Sequence, residues 1–209
     1  MHIGTVAALW RYPIKSLAGE ALERTQIDAA GLPGDRAGAL LVANPDHARA
    51  GKPLRGKEHH LLHTLTDAAA AIALAQRDGI ALEFEAAEHF FDARPLSLLF
   101  DTWLHDVEAL VGRALDPRRY RANIFAHAAL GFDRREPDML GATLGIGSVV
   151  LQVVAPIGRC VTTTYDIGSG ESDPEVLRAV AQHRDNKVGI YCTIVQRGEI
   201  ERGERLVLL

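Results

Sequence analysis

The sequence predicts an α+β fold in which a barrel-like or mixed β-sheet carries a few packed helices. Three observations point there. Segments rich in β-branched and apolar residues with strand character outnumber the helical ones. The helical segments do not alternate strictly with strands, as a doubly wound parallel sheet would require. No internal repeat, low-complexity stretch or linker divides the 209 residues, a length that suits one large domain or two small ones sharing a core.

Residues 3–10 hold Val6, Leu9 and Trp10 in a strand-like run that stops at Tyr12-Pro13. Residues 21–27 alternate polar and apolar, the pattern of a half-exposed strand. A turn-rich stretch over 29–36 leads to a further strand at 39–43. Residues 44–60 are polar and punctuated by Pro45, Gly51, Pro53 and Gly56, which predicts a long surface loop. The first helix is expected over 66–77, capped by Thr66 or Asp67 and stopped by Gly79. A second is expected over 97–112, because Leu99, Trp103, Val107, Leu110 and Val111 share one helical face. Strands are expected at 120–126 and 149–154, the latter broken by Pro156 and Gly158. The third helix opens on Ser172-Asp173-Pro174-Glu175, a capping-box pattern with an early proline, and runs to His183. Strands at 188–195 and 205–209 close the chain around a Gln196-Arg197-Gly198 turn.

Composition excludes some classes of function. The chain is 47% hydrophobic and 24% charged, with a formal net charge of -4, which argues against nucleic acid as the main partner. No apolar run approaches the roughly 18 residues of a membrane helix, and residues 1–5 lack the charged and apolar regions of a secretion signal. Two cysteines in a chain of this length make no disulfide framework, so the expected setting is reducing and cytoplasmic.

The chemistry-bearing residues follow strand ends. Cys160 comes just after the strand at 149–154 and its breakers, beside Arg159, a cation that favours thiolate. The bland alternative is a small buried hydrophobe. Lys15 and Ser16 follow the Tyr12-Pro13 break and could hold a phosphate, or form a solvated turn. Arg36 and Arg121 stand near strand starts, where an anionic ligand or a structural ion pair would satisfy them. His59 and His63 would share a face if their segment were helical, but no HExxH order or third ligand accompanies them, so solvated histidines are the expectation. The glycines at 141, 145 and 147 lead into a strand and carry no dinucleotide fingerprint. Cys192 alternates with Ile190 and Ile194, which core packing explains.

Together, Tyr12-Pro13-Ile14-Lys15-Ser16, Gly34-Asp35-Arg36, Arg121-Ala122-Asn123, the Arg-Cys-x-x-Thr-Thr-x-Asp run from Arg159 to Asp166, Gly189-Ile190-Tyr191 and the residues 198–204 fall in the order found in one family. The chain resembles a MOSC-domain protein (molybdenum-cofactor sulfurase C-terminal domain) with its accompanying N-terminal barrel segment, and is similar to the amidoxime-reducing components. That resemblance implies a mainly antiparallel β-barrel with a few packed helices, an N-terminal segment over 1–90 and a MOSC domain over 91–209 sharing one core. It implies the molybdenum cofactor, molybdopterin with its metal, bound through the thiolate of Cys160. Lys15, Ser16, Arg36 and Arg121 would hold the pterin and its phosphate, with Asn123 beside them and Arg159 adjoining the thiolate. Thr163, Thr164 and Asp166 would shape the metal pocket. Departures from the family pattern are Arg94 before Pro95, and Phe100 and Trp103 in the first turn of the second helix, which would put bulk beside the pocket.

Three functions are therefore open. The first is reduction of N-hydroxylated or N-oxide-like small molecules at molybdenum, with electrons from a separate haem, flavin or iron–sulfur protein. The second is sulfur carriage or cofactor handling through a persulfide on Cys160. The third is a non-catalytic barrel that binds an anionic ligand.

Overall fold

The computed structural model describes residues 1–91 and 93–209. The strands are β1 (His2–Arg11), β2 (Glu20–Leu22), β3 (Arg24–Ile27), β4 (Gly38–Val42), β5 (Leu82–Ala86), β6 (Leu96–Phe100), β7 (Ile124–Ala128), β8 (Thr143–Ile146), β9 (Val149–Gly158), β10 (Lys187–Gln196), β11 (Gly198–Glu201) and β12 (Arg205–Leu208). The α-helices are α1 (Ala68–Arg77), α2 (Asp101–Val111) and α3 (Pro174–His183). In the order β12-β8-β9-β10-β6-β7-β1, with β12 pairing back to β1, seven strands close a barrel. All its pairings are antiparallel except β6 with β7, so the sheet is mixed. Closure leaves those strands without a free edge. None of the described helices is long and apolar enough to cross a membrane.

Apolar alternation along the barrel strands fills one interior: Val6, Leu98, Ile124, Leu151, Val153, Ile190 and Leu206 are all buried in it, with Trp103 and Val107 of α2 and Val176 and Val180 of α3 packed on. Cys192 lies in the same core, and burial alone pushes its thiol up to about 12, so it stays a protonated, inert packing group. A second, smaller cluster lies under β4, β5 and α1: Leu17, Leu40, Val42, Leu54, Leu62, Ala71, Ala75 and Leu82. Asp67 caps α1, accepting from Ala69 N at 3.2 Å and Ala70 N at 3.0 Å, and Gly79, at φ 75°, turns the chain out after it.

Several expected elements differ, each for a local reason. The predicted second helix begins four residues late. Residues Leu96–Phe100 are buried on every side and form β6, while Asp101 opens α2 and Leu110 points to solvent. Phe100 and Trp103 consequently pack edge to face in the core, 5.0 Å between centroids, and put no bulk beside the cavity described below. Residues Pro117–Tyr120 form a 3-10 turn with Asp116 accepting from Arg118 N at 2.8 Å, so the strand there starts only at Ile124. Strand β9 continues past Pro156 to Gly158 on a stretch that β8 no longer flanks, where a residue lacking N–H is tolerated. The Ser172 box does not form: α3 starts at Pro174 without a side-chain cap, and the Ser172 hydroxyl pairs with Thr164 Oγ1 at 3.2 Å.

Candidate functional site

The site lies where the barrel rim meets the small cluster. Strand β9 ends at Gly158, and Cys160 begins a 3-10 turn, Val161–Thr164, that carries its thiol outward. Cys160 is exposed and free, with Thr162 Oγ1 3.2 Å from its sulfur. The opposite wall comes from the connections around β4. Lys15 and Ser16 precede it, Lys15 N donating to Gly38 O at 2.8 Å, and Arg36 stands two residues before its start. Arg121 enters from the end of the turn before β7.

Lys15, Ser16, Arg36, Arg121 and Cys160 line one cavity of about 280 Å³. Arg36, Arg121 and Cys160 also line an adjoining cavity of about 210 Å³, together with Thr163 and Tyr191. Residues from four distant parts of the chain thus converge. Three of them, Ser16 at φ 73°, Arg36 at φ 52° and Arg121 at φ 52°, have left-handed backbones, a conformation uncommon outside glycine and concentrated at functional sites.

The two arginines are fixed from behind. Tyr12, buried, stacks under both: the Arg121 guanidinium carbon is 4.3 Å and that of Arg36 5.0 Å from its ring centroid. Burial raises the Tyr12 phenol to about 12, against the opposing pull of Arg121 and Arg36, so the ring stays neutral. Asp35, fully covered, accepts from Tyr12 N at 2.7 Å and pairs with Arg36, which also donates to Arg121 O at 3.2 Å. Arg121 donates to Leu17 O. Lys15 Nζ donates to Phe90 O at 3.0 Å, and Ser16 Oγ to Leu54 O at 3.0 Å.

Other predicted residues do different work. Asn123 is buried away from the cavity: its Oδ1 accepts from Ser97 Oγ at 2.9 Å and its Nδ2 donates to Trp10 O at 3.3 Å, tying β1, β6 and β7 together. Arg159 lines the smaller cavity but spends its guanidinium on Val188 O and on Tyr120 O at 2.8 Å, over the Tyr120 ring. Burial pushes its pKa down, and its main task is to clamp β10 and the turn before β7 to the end of β9. Thr163 donates to Cys160 O at 2.9 Å and steadies the thiol's turn. Thr164 donates to Val161 O at 2.7 Å and faces α3. Asp166 caps the following turn through Ser169 N and Gly168 N, both 2.9 Å from Oδ1, and accepts from Arg119 at 2.8 Å on Oδ2. The Ser169 and Gly168 amides, followed by Arg119, hold its carboxyl below the usual range.

The stretch read as a surface loop supplies wall residues that sequence reasoning missed, Arg55, Gly56 and Lys57, and His63, expected to be solvated, joins them. Among the described residues no group of three or more His, Cys, Asp or Glu could hold a metal ion. His59 instead caps the 3-10 segment His60–Thr64, accepting from Leu61 N at 3.1 Å. His63 is not solvated: 5% exposed, it lies 3.4 Å through Nδ1 from Arg121 Nη1, and its Nε2 has no partner among the described residues. The ring abuts Gly56, where a Cβ would come within 2.6 Å of Cε1 and Nε2. Only glycine permits that approach. Desolvation, with Arg121 second, lowers the His63 pKa to about 3.

Comparison with known proteins adds the family. The model of the MOSC domain matches residues 85–207, and that of the MOSC N-terminal beta barrel domain matches residues 3–48. No curated protein matches significantly. The fold is similar to the crystal structure of the YuaD protein from Bacillus subtilis, at 15% identity and a TM-score of 0.59, covering 98% of this chain and 94% of that one. A crystal structure of a hypothetical protein is also similar, at 12% identity and a TM-score of 0.53, covering 99% of this chain and 69% of that one.

Proposed function

The chain belongs to the MOSC domain family, which is associated with molybdenum-cofactor binding, and from that premise we propose that it is a molybdenum-cofactor-dependent reductase of N-hydroxylated or N-oxide-like small molecules. Its electrons come from a separate haem, flavin or iron–sulfur protein. One observation carries the reading: an exposed thiol, Cys160, shares a cavity with three cations contributed by remote segments, Lys15, Arg36 and Arg121.

The residues present fit that cofactor. A thiolate is a soft donor suited to molybdenum, and lysine and arginine suit a phosphate. That cations gather here in a chain of net charge -4 supports an anionic occupant. Cys160 would hold the metal, while Lys15, Ser16, Arg36 and Arg121 would hold the pterin and its phosphate. When bound, the cofactor supplies two-electron oxygen-atom chemistry.

The chain's own residues do the rest. Asp35 and the Tyr12 ring fix the arginines before any ligand arrives, which lowers the ordering cost of binding. Thr163, through Cys160 O, and Arg159, through Val188 O, hold the Cys160 turn against β9 and β10. Arg55 and Lys57, exposed at the rim, raise the local concentration of anionic ligands.

The test is metal and pterin analysis of protein made with ample cofactor, alongside Cys160→Ala, with reduction of a simple amidoxime by a chemical reductant as the activity readout. Wild type is expected to carry molybdenum and turn over; the variant is expected to lose both. Wild-type protein without molybdenum sinks the proposal. Molybdenum-free protein with 32 mass units added on Cys160 would replace it with sulfur carriage.

A further inference from the structure

Three threonines follow one another in the turn behind the thiol, and their hydroxyls do not behave alike. Thr163 Oγ1 donates to Cys160 O at 2.9 Å and Thr164 Oγ1 to Val161 O at 2.7 Å, each to the carbonyl three residues earlier, as hydroxyl side chains do in turns. Thr162 departs from that pattern. The carbonyl three residues before it, Arg159 O, already accepts from Asn186 Nδ2 at 2.8 Å. Thr162 Oγ1 instead lies 3.2 Å from the Cys160 sulfur. Its methyl faces the loop that walls the cavity: a Cβ built on the buried Gly56 would stand 3.4 Å from Thr162 Cγ2. A β-branched side chain is stiff about χ1, so seating the methyl there aims the hydroxyl at the sulfur. Cys160 stands at the cap of the turn, yet its side chain makes no cap bond to the turn's amides. Arg159, the cation next to it in sequence, spends its guanidinium on Val188 O and Tyr120 O. Thr162 lines both of the cavities that Cys160 lines, about 280 Å³ and 210 Å³, so a ligand on the sulfur lies beside it. In the Arg-Cys-x-x-Thr-Thr-x-Asp pattern its position is an open one, so the hydroxyl belongs to this chain and not to the pattern.

We propose that Thr162 is a positioning residue for the Cys160 thiolate: its hydroxyl, aimed by the methyl's seat against Gly56, donates a hydrogen bond to the sulfur and weakens it as an electron donor to the metal it binds. A thiolate has no proton to give, so in that state the hydroxyl is the donor. Hydrogen bonds to a ligating sulfur are one of the means by which a protein raises a metal's reduction potential. That the metal is molybdenum rests on the function proposed above; the bond from Thr162 to the sulfur does not.

The experiment compares wild type, Thr162→Val, which keeps the branched outline without the hydroxyl, and Thr162→Ser, which keeps the hydroxyl without the methyl. The first readout is the rate of Cys160 alkylation by iodoacetamide in cofactor-free protein at about pH 10, where an ordinary thiol is ionised. Cys192, buried and protonated, does not compete. A donor worth about tenfold in thiolate basicity slows attack by about threefold, so Thr162→Val should react about threefold faster than wild type. Thr162→Ser should stay close to wild type. A side chain that merely shields the sulfur gives the reverse order, because Thr162→Ser opens the most space and would then react fastest. The second readout is the midpoint potential of molybdenum in cofactor-loaded protein, which should fall in Thr162→Val and return toward wild type in Thr162→Ser. Equal alkylation of wild type and Thr162→Val, fastest alkylation of Thr162→Ser, or a potential that does not fall in Thr162→Val overturns the proposal. Wild type that never carries molybdenum sinks the reductase reading instead, and the order of alkylation then decides the role of Thr162 by itself.

Discussion

The barrel and the layer beside it solve the same stability problem differently. The barrel closes on itself, so each of its seven strands is hydrogen-bonded on both flanks, and α2 and α3 cover it with buried aromatic and aliphatic side chains. The β4–β5 pair has two strands only, four of the five residues of β5 are exposed, and its cluster includes two alanines of α1. Two strands alone are marginal in water, and this pair persists through α1, Leu62 and contact with the barrel. The site divides along the same line. The rim of the barrel carries Cys160 and Arg121, while the thin layer and its connections bring Lys15, Ser16, Arg36, Gly56 and His63. A rigid frame thus presents the thiol, and an adaptable flap of structure presents most of the anion-binding groups. Loosening the flap should empty the site long before the barrel unfolds.

That contrast can be broken at three points. Trp103 packs on Phe100 and Phe132 and donates to Arg134 O at 2.8 Å. Trp103→Ala should remove about 4 kcal/mol of global stability in denaturant titration and speed amide exchange throughout. Leu62→Ala, in the thin layer, should remove about 3 kcal/mol, weaken phosphate binding and accelerate exchange in β4 and β5, while β9 and β10 stay protected. Equal acceleration in both regions would show that they open as one unit. The smallest effect is on pH. His63 has its pKa lowered from 6.5 to about 3 in the folded state, so between those values the unfolded chain binds a proton that the native chain does not. Stability is therefore lost as pH falls below 6.5, by about 2 kcal/mol at pH 5. His63→Leu should flatten that part of the stability curve, and a curve that remains as steep would assign the loss to other groups.

How much of this was legible in the sequence follows the same division. The barrel strands announce themselves through β-branched alternation, and Cys160, Arg36 and Arg121 stood out as polar groups at strand ends. What the sequence hid was direction. Asn123 lies only two residues from Arg121, yet the left-handed backbone at Arg121 turns the chain, and Asn123 is spent on Ser97 and Trp10. The helical spacing of Leu99 with Trp103 and Val107 was real as a pattern, but Leu99 belongs to a strand buried on both faces, where periodicity carries no signal. Residues 44–60 looked like solvent-facing loop because proline and glycine mark turns, not walls. A single glycine, Gly56, four residues upstream of His60 and seven from His63, was the only trace that a ring packs there.

The left-handed backbones at Arg36 and Arg121 carry a consequence for anyone evolving this protein. Glycine at Arg121 relaxes the main chain and deletes a cation in the same step, whereas glycine at Arg36 also leaves the buried Asp35 carboxylate without its counterion. Directed selection for heat tolerance alone can therefore trade the Arg121 cation for a relaxed backbone, unless ligand capture is screened in every round.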